Sequence, residues 1–87
     1  MKLKVTANPD PFSAELVVCI HSSIAVNLVV RLINSNGILI RVKGCPLPAG
    51  ESKVVLKNLV RYATGNYFLE IKLLNGDLVE TIHLVKQ

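Results

Sequence analysis

The chain has 87 residues, of which 51% are hydrophobic and 5% aromatic, and its formal net charge is +4. This length leaves no room for a second domain, so we expect residues 1–87 to form one domain with a continuous aliphatic core. The apolar runs are far shorter than the ~20 residues of a membrane-spanning helix. Basic residues are spread along the chain, which favours solvated strand faces over an anion-binding patch.

The first half of the chain predicts three strands, at residues 2–6, 15–20 and 26–33, with alternating apolar positions. The first two are separated by residues 8–11 (NPDP), where both prolines exclude a helix or a central strand. Phe12 follows, and we expect it to close one end of the core. A polar turn is predicted at residues 21–23. The positions expected to face inward are Leu16, Val18, Ile20, Val26, Leu28, Val30 and Leu32.

The Asn-Gly pair in residues 34–37 (NSNG) predicts a tight hairpin, since it is the strongest short-range hairpin signal. The return strand, residues 38–43, is expected to bury Ile38, Ile40 and Val42. The Gly/Pro loop at residues 44–50 is too long for a hairpin turn, so the chain is expected to change sheets there. A fifth strand at residues 51–57 then places Val54 and Leu56 inward.

The sixth strand begins at Tyr67, with Leu69, Ile71 and Leu73 on the same face. Residues 58–63 before it form either one helical turn or a loop. A Gly two residues before a Tyr that opens an inward-facing strand is typical of the tyrosine corner of immunoglobulin-like domains. There the ring lies in the core and its hydroxyl caps a backbone group. The alternative is a buried tyrosine without a special role.

A second turn at residues 75–77 (NGD) leads into the last strand, residues 78–86. We favour the register with Ile82 and Leu84 inward, although Glu80 then requires a bulge or an edge location. The competing register buries Val79, Thr81, His83 and Val85. Seven short alternating strands without helical periodicity predict an all-β, immunoglobulin-like sandwich of two antiparallel sheets.

The residues that could carry chemistry do not form a recognisable constellation. His21 and His83 have no triad spacing, and the carboxylates occur singly. Cys19 and Cys45 fit no zinc pattern, and a disulfide between them stays an open possibility. Phe68 is the one aromatic residue at an outward strand position, which argues against nucleic-acid binding. We therefore expect a non-enzyme without metal or cofactor.

Several apolar residues are predicted to point outward, above all Val29, Ile33, Phe68 and Leu74. A cluster of this kind marks a partner surface. We hypothesise that this face docks on protein, either a partner or a second copy of the chain. The alternative is that long Lys and Arg stems cover the sheets.

The chain resembles the C-terminal sorting domains (Por secretion tails, type A) of cargo proteins of the type IX secretion system in Bacteroidetes. Five segments carry the resemblance, in the family's order and spacing. They are the opening Asn-Pro motif in residues 5–9 (VTANP), the hairpin in 32–37 (LINSNG), the glycine-led strand in 47–56, the Gly-x-Tyr motif in 65–67 (GNY), and the basic ending in 85–86. Pro11 and Tyr62 depart from the family's pattern.

The resemblance implies a non-catalytic address on a secreted cargo, with Asn8, Pro9, Gly65, Tyr67 and Lys86 as signature positions. The implied partners are an N-terminal cargo domain, the outer-membrane export machinery and a cell-surface sortase. The implied destination lies across the periplasm and outer membrane, at the cell surface. Gly65 and Tyr67 are expected to build the fold, while the last hairpin and Lys86 are expected to be read by a partner. The competing interpretation is an immunoglobulin-like structural or adhesive module without a sorting role.

Overall fold

Seven strands run through the part of the chain that the computed structural model describes, residues 3–87. Lys2, predicted to open the first strand, lies outside the described residues. The strands are β1 (Leu3–Asn8), β2 (Leu16–Ser22), β3 (Val26–Asn34), β4 (Leu39–Leu47), β5 (Gly50–Leu56), β6 (Gly65–Leu73) and β7 (Leu78–Lys86). Residues 3–87 include no helix that is both long and apolar enough to cross a membrane.

The strands form two antiparallel sheets, one of three strands in the order β1-β2-β5 and one of four in the order β4-β3-β6-β7. Their inner faces pack together, and the predicted β-sandwich is confirmed. In constant-type immunoglobulin domains the fourth strand lies beside the fifth. Here β4 instead pairs with β3 in the other sheet, so the three-stranded sheet is the narrower of the two.

The core consists of the apolar side chains that alternate along the central strands, because successive strand residues point to opposite faces. Phe12 closes one end of this core, as predicted. Most of the predicted inward positions are buried: Leu16, Val18, Ile20, Leu28, Val30, Leu32, Val54, Leu56, Tyr67, Leu69, Ile71 and Leu84.

Both tight hairpins use the same turn. The amide of Gly37 donates to the Asn34 carbonyl (3.0 Å), and the amide of Gly76 donates to the Leu73 carbonyl (2.9 Å). Each glycine has a positive φ, 79° and 99° respectively. The turns are therefore three-residue hairpins that end in a left-handed glycine, a conformation that other residues adopt only with strain.

The expected burial on the predicted return strand, residues 38–43, is wrong for two of the three residues placed inward. Ile38 is 57% and Val42 is 52% exposed, while Ile40 packs partly against the core. The register shifts beside the first hairpin, where Leu32 pairs with Arg41 but Ile33 pairs with Leu39. This bulge adds one residue to β4 and so turns Val42 outward, whereas Ile38 is exposed because it lies at the hairpin turn before β4.

Two boundaries also differ from the prediction. Strand β4 runs on to Leu47, and Pro46 is tolerated because β4 is an edge strand. The chain does change sheets before β5, as predicted. His21 and Ser22 belong to β2, and the buried Ser22 hydroxyl donates to the Ile24 carbonyl (2.6 Å).

The favoured register of β7 is confirmed. Leu84 is buried and Ile82 packs partly against the core. A register shift between Ile71 and Lys72 supplies the bulge that Glu80 was expected to require. The shift lies next to the second hairpin, so the inward register of β7, with Ile82 and Leu84 toward the core, begins only after this bulge.

Residues 58–63 form a loop rather than a helical turn, and Leu59 within this loop is 0% exposed. Its amide donates to the Ala14 carbonyl (2.8 Å), which ties the loop to the segment before β2. Asn58 precedes it with a φ of 62°, a left-handed conformation that turns Leu59 toward the core.

We expect Leu59→Ala to lower the free energy of unfolding by about 2–5 kcal/mol, because it opens a cavity in a packed core. The adjacent Val60 is 70% exposed and provides the matched control. Val60→Ala should change stability by less than about 0.5 kcal/mol. Urea denaturation measures both variants, and equal losses would contradict the burial of Leu59.

Candidate functional site

Segments that are far apart in the sequence meet at one end of the sandwich, which we call the tyrosine end. It comprises residues 8–12, 59–67 and 84–87. Lys86 pairs with Gly65 across β6 and β7, and it forms a bridge with Phe12. The five signature positions of the sorting-domain resemblance all lie in these segments, although they are up to 78 positions apart, from Asn8 to Lys86.

Tyr67 is the centre of the tyrosine end. Its ring is buried and meets the Phe12 ring edge to face, with the centroids 5.6 Å apart and the planes at 70°. Its hydroxyl donates a hydrogen bond to the Ala63 carbonyl at 2.6 Å. Gly65, with a φ of 135°, allows the chain to turn between these two residues. The predicted tyrosine corner is therefore confirmed.

The Pro-rich segment closes the same end by pairing with β7. The Phe12 amide donates to the Val85 carbonyl, and the Gln87 amide donates to the Phe12 carbonyl, both at 2.9 Å. The Asp10 carboxylate accepts the Val85 amide at 3.1 Å. Residues 10–12 thus cover the outer edge of the last part of β7. Asn8 and Pro9 remain exposed beside this segment.

Lys86 does not have the accessibility that was expected of it. Its side chain is 4% exposed, and its Nζ donates to the carbonyls of Val60 (3.5 Å) and Gln87 (3.3 Å). The stem of the side chain completes the apolar packing while the ammonium caps loop carbonyls. Lys86 therefore joins Gly65 and Tyr67 as a residue that builds the tyrosine end.

The rim of the tyrosine end is formed by the exposed Val60 and Arg61 and the half-buried Tyr62. The Arg61 guanidinium lies over the Tyr62 ring, 5.2 Å from its centroid, and donates to its hydroxyl at 3.2 Å. Hydrogen bonds from Arg61 and Arg41 lower the pKa of Tyr62. An apolar side chain beside a fixed cation and a phenol can make contacts to a partner, but these three residues do not pair a nucleophile with a base.

The second predicted site is the docking face of Val29, Ile33, Phe68 and Leu74 on the outer side of the four-stranded sheet. In the structure these four residues do not form one cluster. Ile33 pairs with Phe68, and the Phe68 ring stacks on His83 with centroids 5.3 Å apart. Leu39 pairs with Ile33 on the other side and is also exposed. We call Leu39, Ile33, Phe68 and His83 the apolar row, because they cross all the strands of this sheet. Leu39 was not predicted here because the bulge places it outward.

Val29 and Leu74 do not belong to this row. The Arg31–Glu70 ion pair (2.9 Å) occupies the strand positions between Ile33 and Val29. Leu74 lies in the β6–β7 turn at the opposite end of the sheet. The proposed docking face therefore reduces to Ile33 and Phe68, with Leu39 as an addition.

The polar residues outside these two regions are dispersed. Within residues 3–87, no three His, Cys, Asp or Glu side chains come together in a group that could hold a metal. Both cysteines are free thiols in this structure. Cys19 lies between the buried residues Val18 and Ile20 and therefore points to the outer face of its sheet, whereas Cys45 is buried. Burial raises the pKa of the Cys45 thiol, which favours its protonated form.

Comparisons with known proteins do not assign a family. No family model matches this sequence, and no curated protein is similar to it. The geometry of the tyrosine end and of the apolar row therefore carries the functional argument.

We expect Tyr67→Phe to lower the free energy of unfolding by about 1 kcal/mol, because it deletes the hydrogen bond to Ala63 and keeps the ring. Tyr62→Phe is the control, because Tyr62 lies at the rim, and it should cost less than about 0.5 kcal/mol. Urea denaturation of both variants measures the difference. An equal effect of the two substitutions would contradict the tyrosine corner.

The contribution of the Tyr67 hydroxyl to the free energy of unfolding should be lost at high pH. Burial, and to a lesser degree Tyr62, raises the pKa of Tyr67 above its ordinary value of 10.0. Because the fold favours the neutral hydroxyl, this contribution is fully present below the unfolded-state pKa and is lost as the pH rises through the folded-state pKa. The stability difference between the wild type and Tyr67→Phe should therefore shrink above pH 10.0. A stability difference that stays constant above this pH would mean that the pKa of Tyr67 is the same in the folded and unfolded states.

The apolar row should cause self-association at high protein concentration. We expect sedimentation velocity to show dimers that the Ile33→Ser/Phe68→Ser variant does not form. Ile24→Ser is the control, because Ile24 is also exposed but lies in the turn before β3. A wild type that stays monomeric, or an equal loss of dimers in the control, would contradict self-association through this row.

Proposed function

We propose that the chain is a non-catalytic sorting domain, carried at the C-terminal end of a secreted cargo and recognised by the type IX secretion system. The observation that carries the proposal is the convergence of the five signature positions in the tyrosine end. Tyr67 and Lys86 are buried at this end, and Asn8 and Pro9 are exposed in the segment that leads to Phe12.

The proposal divides the signature positions into two roles. Gly65, Tyr67 and Lys86 hold the end together through the corner hydrogen bond, the ring contact and the capped ammonium. Asn8 and Pro9 form the surface that a partner reads. Residues 60–61 extend this surface on the adjacent loop. The partners are the outer-membrane export machinery and then a cell-surface sortase, and the destination is the cell surface.

The arrangement also supports a binding role rather than an enzymatic one. The residues that hold the tyrosine end are occupied by internal hydrogen bonds, and its rim offers contacts without an oriented nucleophile. An address needs a rigid surface that its receptor finds in the same shape each time. The two backbone hydrogen bonds between Phe12 and the last residues of the chain supply that rigidity.

The export of a reporter tests the proposal. A periplasm-directed reporter with residues 1–87 at its C-terminus is expressed in a Bacteroidetes strain with the type IX system and in a strain that lacks its outer-membrane pore. We expect the reporter at the surface of the first strain only, as measured by protease accessibility on intact cells. Retention in the periplasm of the competent strain, or equal export by both strains, would contradict the sorting role.

The same assay tests the surface assigned to recognition. We expect Asn8→Ala/Pro9→Ala to reduce the exported fraction while the purified domain keeps its melting temperature. Lys4→Ala/Thr6→Ala is the matched control, because both residues are exposed on the same strand. Normal export of the Asn8/Pro9 variant would place the recognition surface elsewhere on the domain.

A structural or adhesive module is the second candidate, and the apolar row favours it. Phe68 and Leu39 are exposed on a four-stranded sheet, which is a suitable surface for a neighbouring domain. Such a module would remain in the periplasm in the reporter assay. It would also lose partner binding in Ile33→Ser/Phe68→Ser but not in Asn8→Ala/Pro9→Ala.

A further inference from the structure

The sandwich is open along the seam between β4 and β5. Each is the last strand of its sheet, and the two contact each other only marginally. In constant-type immunoglobulin domains the fourth strand fills the position beside the fifth strand. Because β4 pairs with β3 here, that position is vacant next to β5. The bulge beside Leu32 also turns Arg41 and Lys43 toward this vacancy.

The seam is a basic groove. Its volume is about 550 Å³, and its cationic lining residues are Arg41, Lys43, Lys53 and Lys57. Of the residues that the structure describes, no Asp or Glu lines it. In the sequence these cations occur singly among apolar residues of two strands, where they indicated solvated strand faces. The fold brings them to one place, because β4 supplies two of them and β5 with the loop after it supplies the others.

We propose that this seam binds an extended acidic peptide segment, which adds to the free edge of β5 as a further strand. An edge strand presents unpaired backbone amides and carbonyls, and a peptide in strand conformation satisfies them. A strand added there faces β4 across the sandwich. The inward side chains of the added strand therefore lie opposite Arg41 and Lys43. Carboxylates at the inward positions of the peptide would form ion pairs with these two residues.

The spacing of the charges fits a strand rather than another kind of anion. Arg41 and Lys43 are two residues apart, so they lie roughly 6.7 Å apart along β4. Alternate residues of an extended peptide repeat at the same distance. The Arg41 guanidinium already donates to the Lys57 carbonyl (2.9 Å), which fixes its position at one end of the groove. Lys53 and Lys57 lie at the rim, where they attract a negatively charged segment.

Titration with short peptides tests the proposal on the purified domain, and the result does not depend on the sorting function. The probe is a seven-residue peptide, the length of β5, with Glu and Thr alternating. We expect saturable binding, with the largest amide shift changes in Gly50–Leu56 by NMR. A peptide of the same composition with its Glu residues in one block should bind at least about fivefold more weakly.

Two further reagents separate strand addition from charge attraction. The alternating peptide with N-methyl groups on the amides that face β5 should lose binding, because it cannot form the ladder. Lys43→Gln/Lys53→Gln should weaken binding roughly fivefold, since it removes one ion pair with an inward Glu and one rim charge that attracts the peptide. Lys4→Gln/Lys72→Gln loses the same charge away from the groove and should leave the affinity unchanged.

Several outcomes would overturn the proposal. Equal affinity of the blocked or the N-methylated peptide would show attraction without strand addition. Dextran sulfate that binds the groove while the alternating peptide does not would identify a polyanion site instead. If no probe binds, and Lys43→Gln/Lys53→Gln self-associates, the cations act only to protect an edge strand from pairing with other chains.

Discussion

The hydrogen bond from the Tyr67 hydroxyl to the Ala63 carbonyl is the constraint on which one whole end of the molecule depends. It is short, at 2.6 Å, and it belongs to a ring that also packs against Phe12. A buried phenol without a partner would be costly, so the loop before β6 has to return its backbone to this hydroxyl. Once the loop is held there, Leu59 enters the core and the loop offers a carbonyl to Lys86. The packing of the loop, the Pro-rich segment and β7 thus follows from one side chain.

The two proposed binding regions arise from different features of the same sandwich. At the tyrosine end, the polar groups are used internally, so what remains for a partner is a rigid exposed surface around Asn8 and Pro9. At the seam, the three-stranded sheet is narrower than the sheet that it covers, so Arg41 and Lys43 face an open groove. A rigid surface favours recognition by a receptor, whereas an open basic edge favours the addition of an acidic strand. Both are consistent with a domain whose function is to bind.

Much of the fold could be predicted from the sequence, because alternation fixes which face of a central strand is buried. Strands β2, β3 and β6 each have a neighbour on both sides and one face in the core, so a one-residue shift of register would expose a whole apolar face. Their inward residues, such as Val18 on β2 and Val30 on β3, were therefore predicted correctly. The turn at residues 34–37 was predictable too, because it contains the Asn-Gly pair that hairpins favour.

The remaining differences have local causes. Val42 alternates correctly for a buried strand, but a bulge reverses the inward face of β4, and no residue type in the sequence signals this bulge. Ile38 is exposed because it lies at the hairpin turn, before β4 begins. Leu59 lies in an irregular loop, where periodicity gives no information. Lys86 follows Leu84 at a spacing of two and so faces inward, but the Val60 carbonyl that accepts a hydrogen bond from its ammonium lies in a distant loop, which its sequence neighbours do not reveal. The basic groove was not predictable for the same reason.

The central claim is that the tyrosine end is one cooperative structure, and native-state amide hydrogen exchange tests it most directly. The amides of Phe12, Leu59 and Gln87 each donate to a carbonyl in a different segment of the chain. The account predicts that the Phe12 and Leu59 amides exchange as slowly as that of Val30 in the core, because all of them open only with global unfolding. Rapid exchange at Phe12 and Leu59 while Val30 remains protected would contradict it.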